Sequence, residues 1–219
     1  MGKEVNLLHK YPKTNRNLDE RSNMVTDEVR AISRQFDKEY FDGDRLYGYG
    51  GYKYDPKYWK DTVKEFMYYY NLPKTSRILD VGCARGYMLF EFKKLYPMLK
   101  VRGIDISKYA IETCKPEMKR VLSVGSADDL PYPDNRFDLV ISINTVHNLP
   151  RDRCIMALSE IQRVSGNHSF ITVDAWRTEE ERVRMEKWNL TALTYMHVDE
   201  WVELFKEAGY TGDYYWFMP

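Results

Sequence analysis

A chain that contains Ile78-Leu79-Asp80-Val81-Gly82-Cys83-Ala84-Arg85-Gly86 has little freedom over that stretch. The apolar run reads as a buried strand and the glycines as a turn. Met88, Leu89, Phe92 and Leu95 then form one face of a helix. A glycine-bearing turn in this place lets backbone approach a ligand closely and aims helix N–H groups at it. The alternation then repeats. Residues 101–104, 121–124, 137–143 and 170–173 read as strands. Ala110 with Ile111, and the stripe Ile155, Leu158, Ile161 and Val164, read as the helices between them. Trp201, Leu204, Phe205 and Ala208 mark a late helix closed by Gly209. This order predicts an α/β fold, a doubly wound and mostly parallel sheet with helices on both faces.

The sheet domain so defined covers residues 74–219. Residues 1–73 read as an N-terminal extension. In it, residues 1–23 are polar and without period, an arm or loosely ordered leader. Val29, Ile32 and Phe36 follow a helical stripe, and Val63, Phe66, Met67 and Tyr70 mark a second helix after Pro56 that stops near Pro73. Between them the stretch from Tyr40 to Tyr52, dense in glycine, acid and tyrosine, reads as a loop. After Gly209 there is room for one short strand, Tyr214 to Phe217, and no hairpin. The sheet is therefore expected to be shortened, with an edge that the N-terminal region or a second copy in a homodimer covers.

Lys plus Arg and Asp plus Glu both number 33, and zero net charge argues against a protein built to grip a phosphate backbone. No run has the length of a membrane span, and the first residues lack an apolar signal core. Cys83, Cys114 and Cys154 have no CxxC spacing, and His9, His168 and His197 have no metal-ligand spacing. A cytoplasmic protein without metal, membrane or nucleic-acid partner is the expectation.

Asp105 ends the second strand, and an acid there can accept both ribose hydroxyls of an adenosyl group. The third strand runs into Gly125-Ser126-Ala127-Asp128-Asp129-Leu130-Pro131, and the fourth into Asn144-Thr145-Val146-His147-Asn148-Leu149. Loops at the carboxyl ends of consecutive parallel strands face one crevice, where open α/β sheets bind ligands. Taken in order, these segments resemble the class I, Rossmann-like S-adenosylmethionine-dependent methyltransferases. The likeness is to the type 11-like small-molecule kind, with its DVGCGxG loop, its GxD acid and its GDAxxLPFxDxxFD stretch, and it covers about residues 78–173. It implies S-adenosylmethionine as cofactor. Asp80, Gly82, Cys83 and Gly86 would surround the methionine part, Asp105 would take the ribose, Ile106 would pack on the adenine, and Ala127 with its neighbours would read the adenine edge. The sequence departs from the pattern in three places. Ala84 stands for the middle glycine, which is tolerable if its φ stays negative. Ser126 stands for the adenine-reading acid, leaving Asp128 to supply that acceptor. Val164-Ser165-Gly166-Asn167 replaces a KPGG turn while keeping a hairpin-like turn. A nicotinamide-dependent oxidoreductase would need GxGxxG, which Gly82-x-Ala84-x-Gly86-Tyr87 does not supply.

Methyl transfer is an in-line displacement, so the protein supplies alignment, exclusion of water and, for a hydroxyl acceptor, a base. His147 is the candidate base, with a loop-ordering role as the alternative. Asn144 is placed in the methionine pocket, or else caps its turn. Trp176 and Arg177 end the fifth strand and are candidates for holding a small-molecule acceptor. Arg177 would bind an anionic group, or else form a surface ion pair with Glu179 to Glu181. The segment from Tyr47 to Tyr54 reads as a lid, with Tyr47 and Tyr52 facing the cofactor. Its Tyr-Phe-Asp-Gly and Gly-Tyr pattern resembles small-molecule methyltransferases, some of surface-glycan or modified-sugar pathways. A non-catalytic S-adenosylmethionine-binding subunit is the other reading.

Overall fold

A computed structural model describes residues 2–12 and 17–219. Before the sheet lie α1 (Leu18–Met24), α2 (Asp27–Ser33), α3 (Lys38–Asp42) and α4 (Pro56–Tyr69). Each starts at a polar cap whose side chain accepts a backbone N–H: Asn17, Thr26, Asp37 and Asp55. Then come β1 (Arg77–Val81), α5 (Tyr87–Leu95), β2 (Lys100–Asp105), α6 (Lys108–Glu112), β3 (Leu122–Val124) and β4 (Phe137–Ile143). The chain continues through α7 (Arg151–Val164), β5 (Ser165–Trp176), α8 (Glu179–Trp188), β6 (Met196–His197), α9 (Val198–Glu207) and β7 (Asp213–Phe217).

The strands form one seven-stranded sheet in the order β3-β2-β1-β4-β5, with β7 alongside β5 and the short β6 extending the ladder at Ala175 and Trp176. Every one of these pairings is parallel. Alternate residues of each strand feed opposite faces. Leu79, Val81, Val140 and Val173 pack with α7 and α9, while Ile78, Leu139, Ile141 and Phe170 pack with α4 and α5. The doubly wound α/β architecture read from the sequence is the one found. Because α4 buries Val63, Phe66 and Met67 in the same core as Phe92 and Phe170, the boundary at residue 73 is one of sequence and not of packing.

Several local expectations are corrected. The leader is not loose where it is described: Leu7 is buried against α4, and Leu18–Met24 is helical. Part of the expected loop after Tyr40 is helix α3. No separate turn precedes β5, because α7 ends at Val164 and the strand begins at Ser165. The expected single C-terminal strand without a hairpin is found, but the sheet is not short, since with β6 and β7 it has seven strands. β7 is the one full strand after α9, and its open edge is taken by the N-terminal arm. Val5 N–H donates to the Tyr214 carbonyl at 2.8 Å, and Tyr214 N–H to the Lys3 carbonyl at 3.0 Å.

Candidate active site

The turn after β1 is drawn tight by left-handed backbone at alternate residues: Gly82 (φ +83°), Ala84 (φ +48°) and Gly86 (φ +68°). Ala84 thus adopts the positive φ that the sequence reading had excluded for a tolerable methyl. A β-carbon at Gly82 would lie 2.0 Å from the Thr145 hydroxyl oxygen, so the backbone passes where no side chain fits. The turn's amides are largely spent within it. Gly82 and Cys83 donate to the Ile104 carbonyl, Gly86 donates to Cys83, and Ala84 donates to Asp105 Oδ2 at 2.7 Å. What the turn offers a ligand is therefore carboxylate more than N–H.

Two carboxylates stand there. Asp105, at the end of β2, spends one lone pair of each oxygen, on Ala84 N–H and on Ser107 N–H at 2.8 Å, and keeps the rest for a diol. Asp80 is buried and accepts no hydrogen bond among the described residues. Burial, and then the nearby Asp105 charge, push its carboxyl up to about 8. Such a group awaits a cation or a donor. These features fit an adenosyl cofactor with a cationic end.

Around this floor one cavity of about 1380 Å³ opens. Of the residues singled out from the sequence, Asp80, Gly82, Cys83, Ala84, Asp105, Ile106, Ser126, Ala127, Asn144, His147 and Tyr52 line it. Gly86, Asp128, Tyr47, Trp176 and Arg177 do not. Gly86 instead lets α5 approach β3, since a β-carbon there would sit 2.8 Å from the Leu122 side chain. The Asp128 carboxylate is held by Arg153 and by the Ser126 hydroxyl, so its oxygens are already engaged. Tyr47 packs on the cluster of Val25, Val29 and Leu190. Trp176 lies edge-on to Tyr195. Arg177 pairs with Glu4, neither the acceptor site nor the Glu179–Glu181 partners expected, although its own N–H donates to Glu181.

His147 is buried at the end of β4, and the Asp174 N–H donates to its Nδ1 at 2.9 Å. Where β4 leaves the ladder, the imidazole takes the amide that the strand would have taken. A neutral ring whose Nδ1 accepts must carry its proton on Nε2, so it is a donor and not a base. Burial lowers its pKa, which keeps the ring neutral. Asn144, at φ +50°, closes the same corner by accepting from the Thr172 hydroxyl at 2.7 Å.

The roof is aromatic. The Tyr52 ring lies 4.3 Å from that of Tyr49 and stacks on Tyr87 at 5.0 Å. Its position is fixed from the turn, where Arg85 donates to the Tyr52 carbonyl and to both oxygens of Asp42. Tyr109 adds a hydroxyl bond to Asp42 at 2.8 Å. Sequence reasoning missed Arg85, Asp42, Tyr49 and Asp174. The signal for Arg85 was its place inside the turn, where a large cation needs a partner.

Comparison with known proteins gives a domain match and a shared fold. Residues 78–168 match a family model described as a methyltransferase domain. A tRNA (carboxymethyluridine(34)-5-O)-methyltransferase of Arabidopsis thaliana is 35% identical over 134 residues, 60% of this chain and 31% of that protein. A demethylmenaquinone methyltransferase of Symbiobacterium thermophilum is 28% identical over 193 residues, 69% of this chain and 75% of that protein. An uncharacterized methyltransferase of Schizosaccharomyces pombe matches at 33% identity, and the chain spans only about half, 51%, of its length. In structure, the YcgJ protein of Bacillus subtilis superposes with a TM-score of 0.54 at 19% identity, covering 67% of this chain and 66% of that one. Domain match, sheet order and turn agree: residues 78–168 match a methyltransferase domain, and the chain has the Rossmann-like fold of the structures it resembles.

Proposed function

We propose that the chain transfers a methyl group from S-adenosylmethionine to an oxygen or nitrogen of a small-molecule acceptor held under the aromatic roof. One observation carries this reading. The loops after β1, β2, β3 and β4 all open on a single cavity of about 1380 Å³, larger than the roughly 300–1,000 Å³ of an ordinary one-ligand pocket. The cofactor supplies a methyl group activated on a sulfonium. Asp105 is suited to its ribose, Asp80 to its cationic end, and the exposed Ile106 side chain to a flat ring. Tyr49 and Tyr52 keep water from the reacting centre and set the acceptor's approach. His147 donates from Nε2 and orients the acceptor. Asp174, buried beside it with its carboxyl raised by burial, is suited to receive the acceptor's proton.

The relatives' names span RNA and quinone acceptors, so no acceptor is carried over from them. The Tyr-Phe-Asp-Gly and Gly-Tyr pattern supports a sugar or surface-glycan precursor. The experiment is a calorimetric titration with S-adenosylhomocysteine, followed by incubation of the protein with a metabolite extract and labelled S-adenosylmethionine. Saturable binding and a labelled small product are expected. Binding with no labelled product would favour the non-catalytic subunit, and binding of NADH without S-adenosylhomocysteine would end the reading altogether.

A further inference from the structure

The cavity is lined by charges of both signs. Its floor, at the strand ends, holds the carboxylates Asp80, Asp105 and Asp174. A second wall, on elements outside the strand ends, comes from α1, the end of α2, the loop after α3, and α8, and each contributes an arginine: Arg21, Arg34, Arg45 and Arg184. These elements pack on one another. Lys187 of α8 pairs with Asp19 of α1, Arg34 donates to the Thr191 carbonyl at 3.3 Å, and Leu190 is buried against Val25 and Val29 of the α2 region.

Among the described residues none of these four arginines has a carboxylate partner. The other arginine that lines the cavity, Arg153, is by contrast neutralised by Asp128. Arg21 is the most telling. Its Nε is buried with no hydrogen-bond partner, and both burial and the neighbouring Arg45 charge weigh against its positive charge. Like charges gathered on a cavity wall are costly unless a ligand neutralises them.

We propose that this wall is the subsite for a phosphorylated acceptor, with Arg21, Arg45 and Arg184 receiving the phosphoryl oxygens and Arg34 bracing the wall. The proposal rests on the methyl-transfer reading and names its substrate class. A single carboxylate is satisfied by one guanidinium fork, whereas several guanidinium groups without a counter-charge suit a group with three oxygens and up to two charges, although Arg45 also donates to the Gly48 carbonyl. The floor carboxylates would then take the cationic end of the cofactor and the arginines the anionic acceptor, with the reacting atoms between.

The test measures phenyl phosphate binding to the full chain, with and without saturating S-adenosylhomocysteine, against phenol and benzoate as controls. Phenyl phosphate should bind saturably and phenol should not, with benzoate weaker. Arg21→Gln and Arg184→Gln should each weaken phenyl phosphate by about tenfold or more, as for a lost charge-assisted hydrogen bond. Their S-adenosylhomocysteine affinity should stay within about twofold, since the floor is untouched. Arg184 lies on an exposed helix face, so that variant keeps its fold and serves if Arg21→Gln does not. The idea fails if wild type ignores phenyl phosphate, if phenol or benzoate binds as well, or if both variants bind it undiminished. It also fails if the variants lose S-adenosylhomocysteine in parallel, because the arginines then hold the cofactor's carboxylate. Failure of S-adenosylhomocysteine to bind wild type is a separate result and strikes the methyl-transfer reading itself.

Discussion

At position 84 a methyl group sits at φ +48°, where an L-residue costs about 1–2 kcal/mol. The turn tolerates it because Ala84 N–H is bonded to Asp105, so the strain and the Asp105 carboxylate are parts of one arrangement. His147 shows how a residue's chemistry is decided by a distant partner. With Nδ1 taken by the Asp174 amide, His147→Asn should keep that bond through its side-chain oxygen and lower kcat by less than about tenfold. Loss of a true general base would cost about 10²–10⁴-fold, and steady-state kinetics with the identified acceptor separates the two outcomes. The placement of Asp105 and Gly82 in the cavity was legible from sequence because it depends on a strand end and a turn a few residues away. The state of His147, the engagement of Asp128 by Arg153 and the diversion of Arg177 to Glu4 were not, since each depends on a contact 25 or more residues off.

Among elements, the sheet and its main helices announce themselves through apolar period, whereas α1 and α8 do not. α1 has no buried residue and α8 buries only Met185, so neither shows a stripe. Yet these two helices carry half of the arginine wall. The roof is tied to the turn through Arg85, whose side chain is 7% exposed against 30% for Asp42. Asp42→Asn leaves the guanidinium buried without its counter-charge. The expected loss is about 1–3 kcal/mol in urea unfolding, less than for a fully buried pair because Asp42 is partly solvated. S-adenosylhomocysteine should also dissociate faster from this variant; unchanged stability together with an unchanged off-rate would show that the roof is anchored elsewhere. Deleting residues 1–54 is a poorer probe, because it removes the roof and the strand partner of β7 together.

For the molecule as a whole, the buried Asp80 carboxyl links folding and binding to pH. Its folded pKa of about 8 lies above its ordinary value of 3.8. The folded chain therefore holds a proton between those pH values that the unfolded chain has released. The stability this contributes is complete below about pH 4 and is lost as pH rises through about 8. Thermal unfolding of the ligand-free protein should accordingly show Asp80→Asn gaining on wild type from pH 5 to pH 8, and a constant difference would refute the linkage. A ligand with a cationic end favours the ionised carboxylate, so S-adenosylhomocysteine should bind more tightly as pH rises toward 8, releasing a proton detectable by calorimetry in buffers of different ionisation heat. The overall sheet was readable from alternating strands and helices. How its edge is finished was not, because residues 3–5 carry no strand pattern of their own and are ordered by β7. That pairing has a consequence for biosynthesis. The partner residues lie about 210 positions apart, so at a translation rate of about 5–20 residues per second the first waits roughly 10–40 s for the second. Through that interval the arm that carries Leu7 onto α4 has no strand to rest on, and the chamber it helps wall stays unfinished. An emerging chain can therefore pair the strands made before β7 while this edge of the sheet is still open.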